Sequence, residues 1–276
     1  MRNKIIKILG IMCVLSSLMV ALLPSPVAAI QHGDADGENH PYVVMCVFDV
    51  GGVPMWRTTG LLISSTVVVT AGHGTFGTDG ARVSTLSYIP RGYEGYPGPG
   101  DWAVEASAIY THPLYRSTPG PGLPNFDSYD IGIIVLSQPI VLNQYAALPT
   151  AGYVDTLPMK SKVDLVGYGV TSQEKGGGVS PYDSWVWDRY RNFATAQLIQ
   201  ADDVISDMFL KLTANPGQGK GGTTFGDSGG PVLQAGTNIV LGINSFVTNA
   251  NCDGVTYAQR LDIQSILDFI NPPIPM

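Results

Sequence analysis

The stretch G-G-T-T-F-G-D-S-G-G-P-V-L, residues 221–233, concentrates glycine around a single serine, Ser228, and places a carboxylate, Asp227, directly before it. Glycine lacks a Cβ atom, so it permits backbone conformations and close approaches that other residues do not. A serine hydroxyl is a poor nucleophile at neutral pH unless a base, usually histidine, lies within hydrogen-bond reach. The stretch therefore directs attention to the histidines of the chain.

A candidate base and a candidate acid precede this serine. The chain has four histidines, at His32, His40, His73 and His112. His73 is the best placed, since V-V-V-T-A-G-H-G carries a β-branched strand into a turn of small residues. Asp130, in S-Y-D-I-G-I-I-V-L, is a lone acid at the start of an apolar strand. Taken separately, His73 is more simply a turn histidine and Asp130 a strand cap, so neither motif alone indicates catalysis.

Taken together, the three motifs point to one family. The order His73, Asp130, Ser228, within V-T-A-G-H, D-I-G-I-I-V-L and G-D-S-G-G-P, resembles the chymotrypsin or trypsin-like serine peptidases over nearly all of residues 30–270. The resemblance implies an all-β fold of two packed six-stranded antiparallel barrels, with the site in the cleft between them and a helix at the C-terminus. It implies a serine endopeptidase that acts through an acyl-enzyme intermediate.

The roles of individual residues follow from the same resemblance. Ser228 would attack the peptide carbonyl, His73 would serve as general base and then general acid, and Asp130 would hold the imidazole tautomer. The backbone N–H groups of Gly226 and Ser228 would form the oxyanion hole. Ser245 matches the family serine that supports the catalytic acid. No cofactor and no metal are implied.

Composition and hydrophobic pattern agree with an all-β class. The chain has 33 glycines, 20 prolines and only 13% charged residues, which fits a turn-rich β protein better than a helical bundle. Apolar, β-branched runs predict strands at 61–70, 131–136, 163–166, 231–233, 239–246 and 255–258. We expect the first barrel in residues 30–150, with His73 and Asp130, and the second in residues 151–276, with Ser228.

Helices are predicted only near the C-terminus. Apolar residues at helical spacing within 263–270, with Asp262 as N-cap and Pro272 as terminator, predict one helix. A second short helix is predicted near 201–209. Two Gly/Pro-rich surface loops are expected within 90–125.

The N-terminus predicts export. A basic start, an apolar run of sixteen residues at 8–23 and small residues at 27–29 predict a signal peptide over residues 1–29. A membrane anchor is the alternative, but sixteen residues fall short of the roughly 20 that span a bilayer. Without residues 1–29 the net charge is −10, which disfavours nucleic acid as a partner. We expect a secreted, extracellular monomer, free of the membrane after signal cleavage, with a protein or peptide substrate.

Asp227 lies beside the nucleophile but outside the predicted triad. In the resembled family this aspartate is neutralised by a new N-terminal ammonium of Ile or Val, and residues 30–33, I-Q-H-G, resemble that N-terminal sequence. Between Lys7 and Arg57 the chain has no Lys or Arg for tryptic activation. We therefore expect signal peptidase itself to expose the Ile30 amine and form an activation pair with Asp227. Alternatively, cleavage falls elsewhere and Asp227 is satisfied differently.

Cysteine usage departs from the family. Gly74 and Thr58 stand where the resemblance implies one disulfide, and Thr224 stands where it implies a partner for Cys252. Two separate thiols at Cys46 and Cys252 are favoured over a bond between them.

The substrate pocket is predicted to be uncharged. Its expected lining is Gly222, Thr223, Ser245, Phe246, Val247, Gly254 and Val255. No acid stands at its base, and Val247 in place of a more usual glycine would narrow the entrance. We expect small or medium apolar side chains at P1, the substrate residue whose carbonyl is attacked. If Asp253 turns into the pocket, basic substrates become possible instead.

Other functional classes fit less well. G-D-S-G-G also satisfies the α/β-hydrolase motif, but that fold needs a histidine after the serine and none follows Ser228. The metallopeptidase motif H-E-x-x-H is absent from the sequence. The runner-up is a catalytically silent, secreted binding protein on the same fold. Such a protein would usually show a broken triad or a lost oxyanion glycine, and this sequence shows neither.

Overall fold

Two closed antiparallel β-barrels account for most strands of the protein. The computed structural model describes residue 30 and residues 33–89, 103–115, 128–173, 185–187, 190–200, 207–215, 221–249, 252 and 254–271. Strands β1 to β7 are Asp34–Ala35, Val43–Val50, Val53–Leu62, Val67–Thr70, Gly80–Ser84, Val104–Thr111 and Gly132–Leu136. Strands β8 to β15 are Lys162–Gly167, Val170–Gln173, Trp185–Trp187, Asn192–Gln200, Phe209–Ala214, Pro231–Gln234, Val240–Val247 and Gly254–Arg260.

The first barrel closes in the order β2, β3, β4, β7, β6, β5, and β5 pairs back with β2. Strand β2, V-V-M-C-V-F-D-V, is buried along all but its last residue. Burial of such apolar side chains contributes on the order of 1.5–3 kcal/mol each. The core of this barrel continues into the C-terminal helix through Ile266 and Ile270.

The second barrel closes in the order β11, β12, β15, β14, β13, β8, and β8 pairs back with β11. The predicted pair of six-stranded barrels is therefore confirmed. Strand β1 adds to β11, so residues 34–35, from the segment expected to form the first barrel, pair with the second. Strands β9 and β10 form a separate hairpin.

A buried guanidinium joins the two barrels. Arg191, fully buried just before β11, donates from Nε to Asp36 Oδ2 at 2.7 Å. Its Nη1 donates to Val43 O at 3.0 Å and Thr85 O at 3.2 Å, in the first barrel, and its Nη2 donates to Gly37 O at 2.5 Å. Burial alone would raise the pKa of Asp36, but hydrogen bonds and charge from His40 and Arg191 lower it.

Several predicted element boundaries need correction. The apolar run 61–70 is not one strand, because Ser64 accepts hydrogen bonds from the N–H groups of Thr66 and Val67 and turns the chain between β3 and β4. A one-turn helix, α1, at Gly72–Thr75, was not predicted.

The C-terminal helix α2 spans Gln264–Ile270, as predicted, but its N-cap is Ile263. Asp262 instead binds Val154 N and the Arg260 guanidinium. Of the second predicted helix, residues 201–206 lie outside the described residues, and Phe209 begins a strand. The predicted signal peptide, and the Gly/Pro-rich stretches on either side of β6, also lie outside them. Among the described helices, none has the length and apolar character to cross a bilayer.

Candidate active site

His73 is presented by a tight turn that only small residues allow. Strand β4 ends at Thr70, and α1 follows directly, with His73 as its second residue. A Cβ atom on Gly72 would lie 2.9 Å from Ile131 N, and one on Gly132 would lie 2.5 Å from the Thr75 side chain. The glycines of A-G-H-G and D-I-G therefore let α1 pack directly against the segment that carries Asp130.

Asp130 fixes the position of His73 through two hydrogen bonds. His73 Nδ1 lies 2.8 Å from Asp130 Oδ2, and the backbone N–H of His73 donates to Oδ1 at 2.7 Å. The Ser245 hydroxyl donates to Oδ2 at 2.5 Å. Burial opposes ionisation of Asp130, but the charge and hydrogen bonds of His73 and Ser245 outweigh it, so its pKa is lowered. A buried carboxylate against Nδ1 favours the tautomer in which Nδ1 carries the proton and Nε2 has the lone pair of a base.

The turn that carries Ser228 depends on close backbone approaches between the barrels. Gly229 has a φ of 80°, and a Cβ there would lie 2.2 Å from Thr59 O. A Cβ on Gly230 would lie 2.6 Å from Val166 O. The Thr59 N–H donates to Ser228 O at 2.9 Å, which ties the backbone of Ser228 to β3 of the first barrel. These contacts explain why glycines follow the serine.

The peptide between Phe225 and Gly226 has a fixed orientation. Val170 N donates to Phe225 O at 2.9 Å, and Gly226 has a φ of 95°, a conformation that favours glycine. Because N–H and C=O point in opposite directions across a trans peptide, the Gly226 N–H is directed away from Val170. The Thr59 hydroxyl donates to Gly226 O at 2.9 Å and accepts from Tyr168 N at 3.0 Å. Sequence reasoning missed this role of Thr59, for which no local motif exists.

Asp227 is fully buried, and its carboxylate faces the segment around Gly169. Its Oδ1 accepts from Gly169 N at 2.8 Å, and its Oδ2 accepts from Thr224 N at 2.8 Å and lies 2.9 Å from Thr224 Oγ1. Burial raises the pKa of Asp227 to about 6, although these hydrogen bonds and the charge of Arg57 act to lower it.

Ile30, the other member of the predicted activation pair, is fully buried with the core of the second barrel. In the full-length chain its nitrogen is a peptide nitrogen bonded to Ala29, so no ammonium exists at this position. The Ile30–Asp227 pair therefore stays a prediction about the processed chain.

A cavity of ≈320 Å³ opens beside His73 and Ser228. Its described lining is His73, Thr223, Thr224, Phe225, Ser228, Asn244, Ser245, Phe246 and Val247. Four of the predicted pocket residues are thus in the lining: Thr223, Ser245, Phe246 and Val247. Thr224, Phe225 and Asn244 were missed as pocket residues, although each adjoins a predicted site residue in the sequence.

The other predicted pocket residues lie behind or beside this lining. Gly222 is buried, and a Cβ there would lie 2.4 Å from the Ala214 side chain. Gly254 and Val255 pair with β12. Among the described residues, these three are not part of the cavity wall. Asp253 lies outside the described residues.

A second cavity, of ≈410 Å³, lies on the other side of the same two catalytic candidates. Its described lining is Trp56, Arg57, Thr58, His73, Phe76, Tyr115 and Ser228. His73 and Ser228 line both cavities, so they lie between two depressions, which suits a chain that crosses the site. The other described histidines are elsewhere: His40 binds Asp36 and His112 stacks on Tyr129.

The cysteine positions behave as predicted from the sequence. Neither Cys46 nor Cys252 is in a disulfide, and both are buried. Burial raises the pKa of the Cys46 thiol. A Cβ on Gly74 would lie 3.2 Å from Thr58 Cγ2, so these two positions are in contact without a disulfide.

Comparison with known proteins agrees with this architecture. The trypsin family model matches residues 29–270. Serine protease 1 and Serine protease 2 of Drosophila melanogaster are each 26% identical over 265 residues, covering 90% of this chain and 88% of the relative. Among solved structures, HL collagenase has a TM-score of 0.67 at 18% identity, covering 90% of this chain and 99% of its own. Human heparin binding protein has a TM-score of 0.65 at 16% identity, covering 88% and 97%. These two structures show the shared fold alone, whereas the family match extends through both barrels, and the chain belongs to the trypsin family of chymotrypsin-like serine endopeptidases.

Proposed function

We propose that this serine endopeptidase cleaves peptide bonds with Ser228 as nucleophile, His73 as general base and acid, and Asp130 as the residue that orients His73. The observation that carries the proposal is the position of His73, which Asp130 holds by two hydrogen bonds while the ring lines the same cavity as Ser228. The substrate is a protein or peptide, as for the family.

The proposed reaction proceeds in two stages. Nε2 of His73 removes the Ser228 proton as the hydroxyl oxygen attacks the substrate carbonyl, and the imidazolium then protonates the leaving amine. Asp130 stabilises that imidazolium, and Ser245 supports Asp130. Water hydrolyses the acyl-enzyme by the same steps. The N–H groups of Gly226 and Ser228 stabilise the oxyanion, where one donor is worth about 3 kcal/mol.

A serine-directed fluorophosphonate tests this assignment. The wild-type enzyme should be labelled, and Ser228→Ala should not be, because its nucleophilic oxygen is gone. Ser107→Ala is the matched control and should be labelled, since Ser107 Oγ lies in the first barrel, 3.1 Å from Val135 O and 3.3 Å from Leu136 O. Absence of labelling in the processed wild-type protein would favour a silent binding protein on the same fold.

We further propose that the protein is secreted as a monomer and that signal peptidase produces the Ile30 terminus. The pattern of residues 1–29 supports export, and trypsin-like peptidases are commonly secreted. The buried Asp227, whose pKa is raised to about 6, supports the need for a nearby cation. Sequencing the N-terminus of the exported protein checks the site of cleavage, and any start other than Ile30 contradicts it.

An uncharged P1 pocket completes the proposal. Apart from His73, the described lining of the cavity beside Ser228 carries no ionisable side chain. Phe225, Phe246 and Val247 supply apolar walls, which suits the small or medium apolar side chains predicted from the sequence. The lining nevertheless contains more polar groups than that prediction assumed.

A further inference from the structure

The cavity beside Ser228 contains a buried polar side chain that the proposed mechanism does not use. Asn244, on β14, is 2% exposed and forms part of the cavity wall. Within the described part of the chain, neither its Oδ1 nor its Nδ2 has a hydrogen-bond partner. Buried carboxamides in native proteins are almost always paired, because desolvation of an unpaired one opposes folding. An unpaired carboxamide in a substrate cavity indicates that its partner arrives with the substrate.

The backbone of Asn244 is fixed relative to the nucleophile. Its carbonyl accepts from Gly229 N at 2.8 Å, and its N–H donates to Gly230 O at 2.9 Å. Both partners directly follow Ser228 in the sequence. The next residue, Ser245, is bound to Asp130. The position of Asn244 is therefore coupled to that of the reacting atoms, as a specificity-determining residue requires.

The rest of the cavity selects among the side chains that could pair with Asn244. The Thr223 hydroxyl is already paired with that of Thr256. Phe225, Phe246 and Val247 can cover a methylene stem. A leucine at P1 would leave both polar atoms of Asn244 unpaired, and a carboxylate could accept from Nδ2 but would leave Oδ1 without a donor. An arginine would enter without a carboxylate in the described lining.

We propose that Asn244 selects substrates with a carboxamide side chain, glutamine or asparagine, at P1. Nδ2 donates to the substrate's side-chain oxygen, and Oδ1 accepts from its side-chain N–H, so both partners are satisfied. This inference rests on the proposed function of the same site, and it replaces the apolar P1 preference with an uncharged polar one. A site built to hydrogen-bond its substrate rejects analogues that lack the group more strongly than a hydrophobic pocket can.

Peptide p-nitroanilides that differ only at P1 test the proposal. We expect kcat/KM for glutamine to exceed the values for leucine, glutamate and arginine by about tenfold or more. Asn244→Val keeps a similar volume and removes both polar atoms, so the glutamine-to-leucine ratio should fall by about tenfold or more. Asn238→Val is the matched control, because Asn238 precedes β14 at its far end and binds Tyr145 O. Its ratio should equal that of the wild type.

A second variant covers the case in which Asn244→Val fails to fold. Asn244→Asp is nearly isosteric and replaces the donor with an anion, so it should shift the preference from glutamine toward arginine. Wild-type preference for leucine over glutamine, or ratios unchanged in the folded Asn244 variants, would overturn the proposal. If the wild type cleaves no substrate in the series and resists the fluorophosphonate, the proposed peptidase function fails. If it is labelled and cleaves the leucine substrate best, only the carboxamide preference fails.

Discussion

The side chain of Thr224 helps to fix the turn that carries Ser228. Thr224, where the resembled family has a cysteine, lies with its Oγ1 2.8 Å from Val170 O and 2.9 Å from Asp227 Oδ2. A hydroxyl carries one hydrogen, so Thr224 bonds both oxygens at once only when Asp227 is protonated and donates to it. The raised pKa of Asp227, about 6, makes this state accessible in mildly acid solution. One side chain thus connects the turn before the nucleophile to β9.

Replacement of this hydroxyl should slow catalysis. Thr224→Val removes the hydroxyl that contacts both Asp227 Oδ2 and Val170 O, so the turn that carries Gly226 loses part of its support. We expect kcat to fall about tenfold, which equals about 1.4 kcal/mol, with KM changed by less than about threefold. Steady-state kinetics on one peptide substrate measures both. Thr224→Ser keeps the hydroxyl and should retain most of the activity, and wild-type kcat in Thr224→Val would refute the positioning role.

Among the secondary-structure elements, the short strand β1 is fixed against β11 by a buried ion pair. Strand β1 has only two residues, so its own ladder is weak. The buried pair of Arg191 and Asp36 fixes it, and the same guanidinium reaches Val43 O in the first barrel. Loss of one partner of such a buried ion pair is strongly destabilising, because the other charge stays buried without its counter-charge. The orientation of the two barrels at this junction therefore depends strongly on Arg191.

Arg191→Met should destabilise the protein markedly. The change keeps an apolar stem but leaves the Asp36 carboxylate buried with His40 as its remaining ionisable partner. We expect the free energy of unfolding to fall by about 3–5 kcal/mol in denaturant titrations. Lys162→Met, at an exposed position in the second barrel, is the control and should change stability by less than about 0.5 kcal/mol. Equal stability of the two variants would contradict the role of the ion pair.

In the molecule as a whole, the predicted pair of Ile30 and Asp227 would link the N-terminus to the turn that carries Ser228. In the chain with Ile30 in peptide linkage, burial raises the pKa of Asp227 from its ordinary value of 3.8 to about 6. The folded state therefore holds this proton more tightly than the unfolded state does. The stabilisation is complete below pH 3.8 and is lost as the pH rises through about 6. Its full size is on the order of 3 kcal/mol.

Denaturant titrations between pH 4 and 7 test this linkage. A chain that retains Ala28 and Ala29 should lose about 2 kcal/mol more over this range than its Asp227→Asn variant. In a chain that begins at Ile30, the ammonium would favour the carboxylate and make this loss smaller. Equal pH dependence in the retained chain and its Asp227→Asn variant would refute the raised pKa. Equal losses with and without Ala28 and Ala29 would refute the Ile30–Asp227 pair.

Features that depend on local backbone chemistry could be predicted from the sequence. Glycines around Ser228 and His73 mark turns that tolerate no Cβ, and apolar runs mark strands, so the all-β class could be predicted. The two barrels and the candidate triad followed from the resemblance of three motifs to one family. The C-terminal helix was predicted correctly from the helical spacing of its apolar residues. Its predicted N-cap, Asp262, was wrong, because this side chain binds Arg260 and Val154 instead. That Cys46 and Cys252 form no disulfide could also be predicted, because the resemblance leaves neither with a second cysteine to bond.

Contacts between segments that are distant in the sequence could be identified only in the folded structure. Thr59 lies 167 residues from Gly226, whose carbonyl it binds, and Arg191 lies 155 residues from Asp36. No local sequence pattern identifies such pairs, because threonine, arginine and aspartate are also common at exposed positions, where they form no such contact. Asn244 is the clearest example. In the sequence it is an ordinary strand residue, and only the folded barrel shows that its carboxamide is buried, unpaired and in the wall of the cavity beside Ser228. Burial turns an ordinary polar group into one that requires a partner, and burial is a property of the assembled fold.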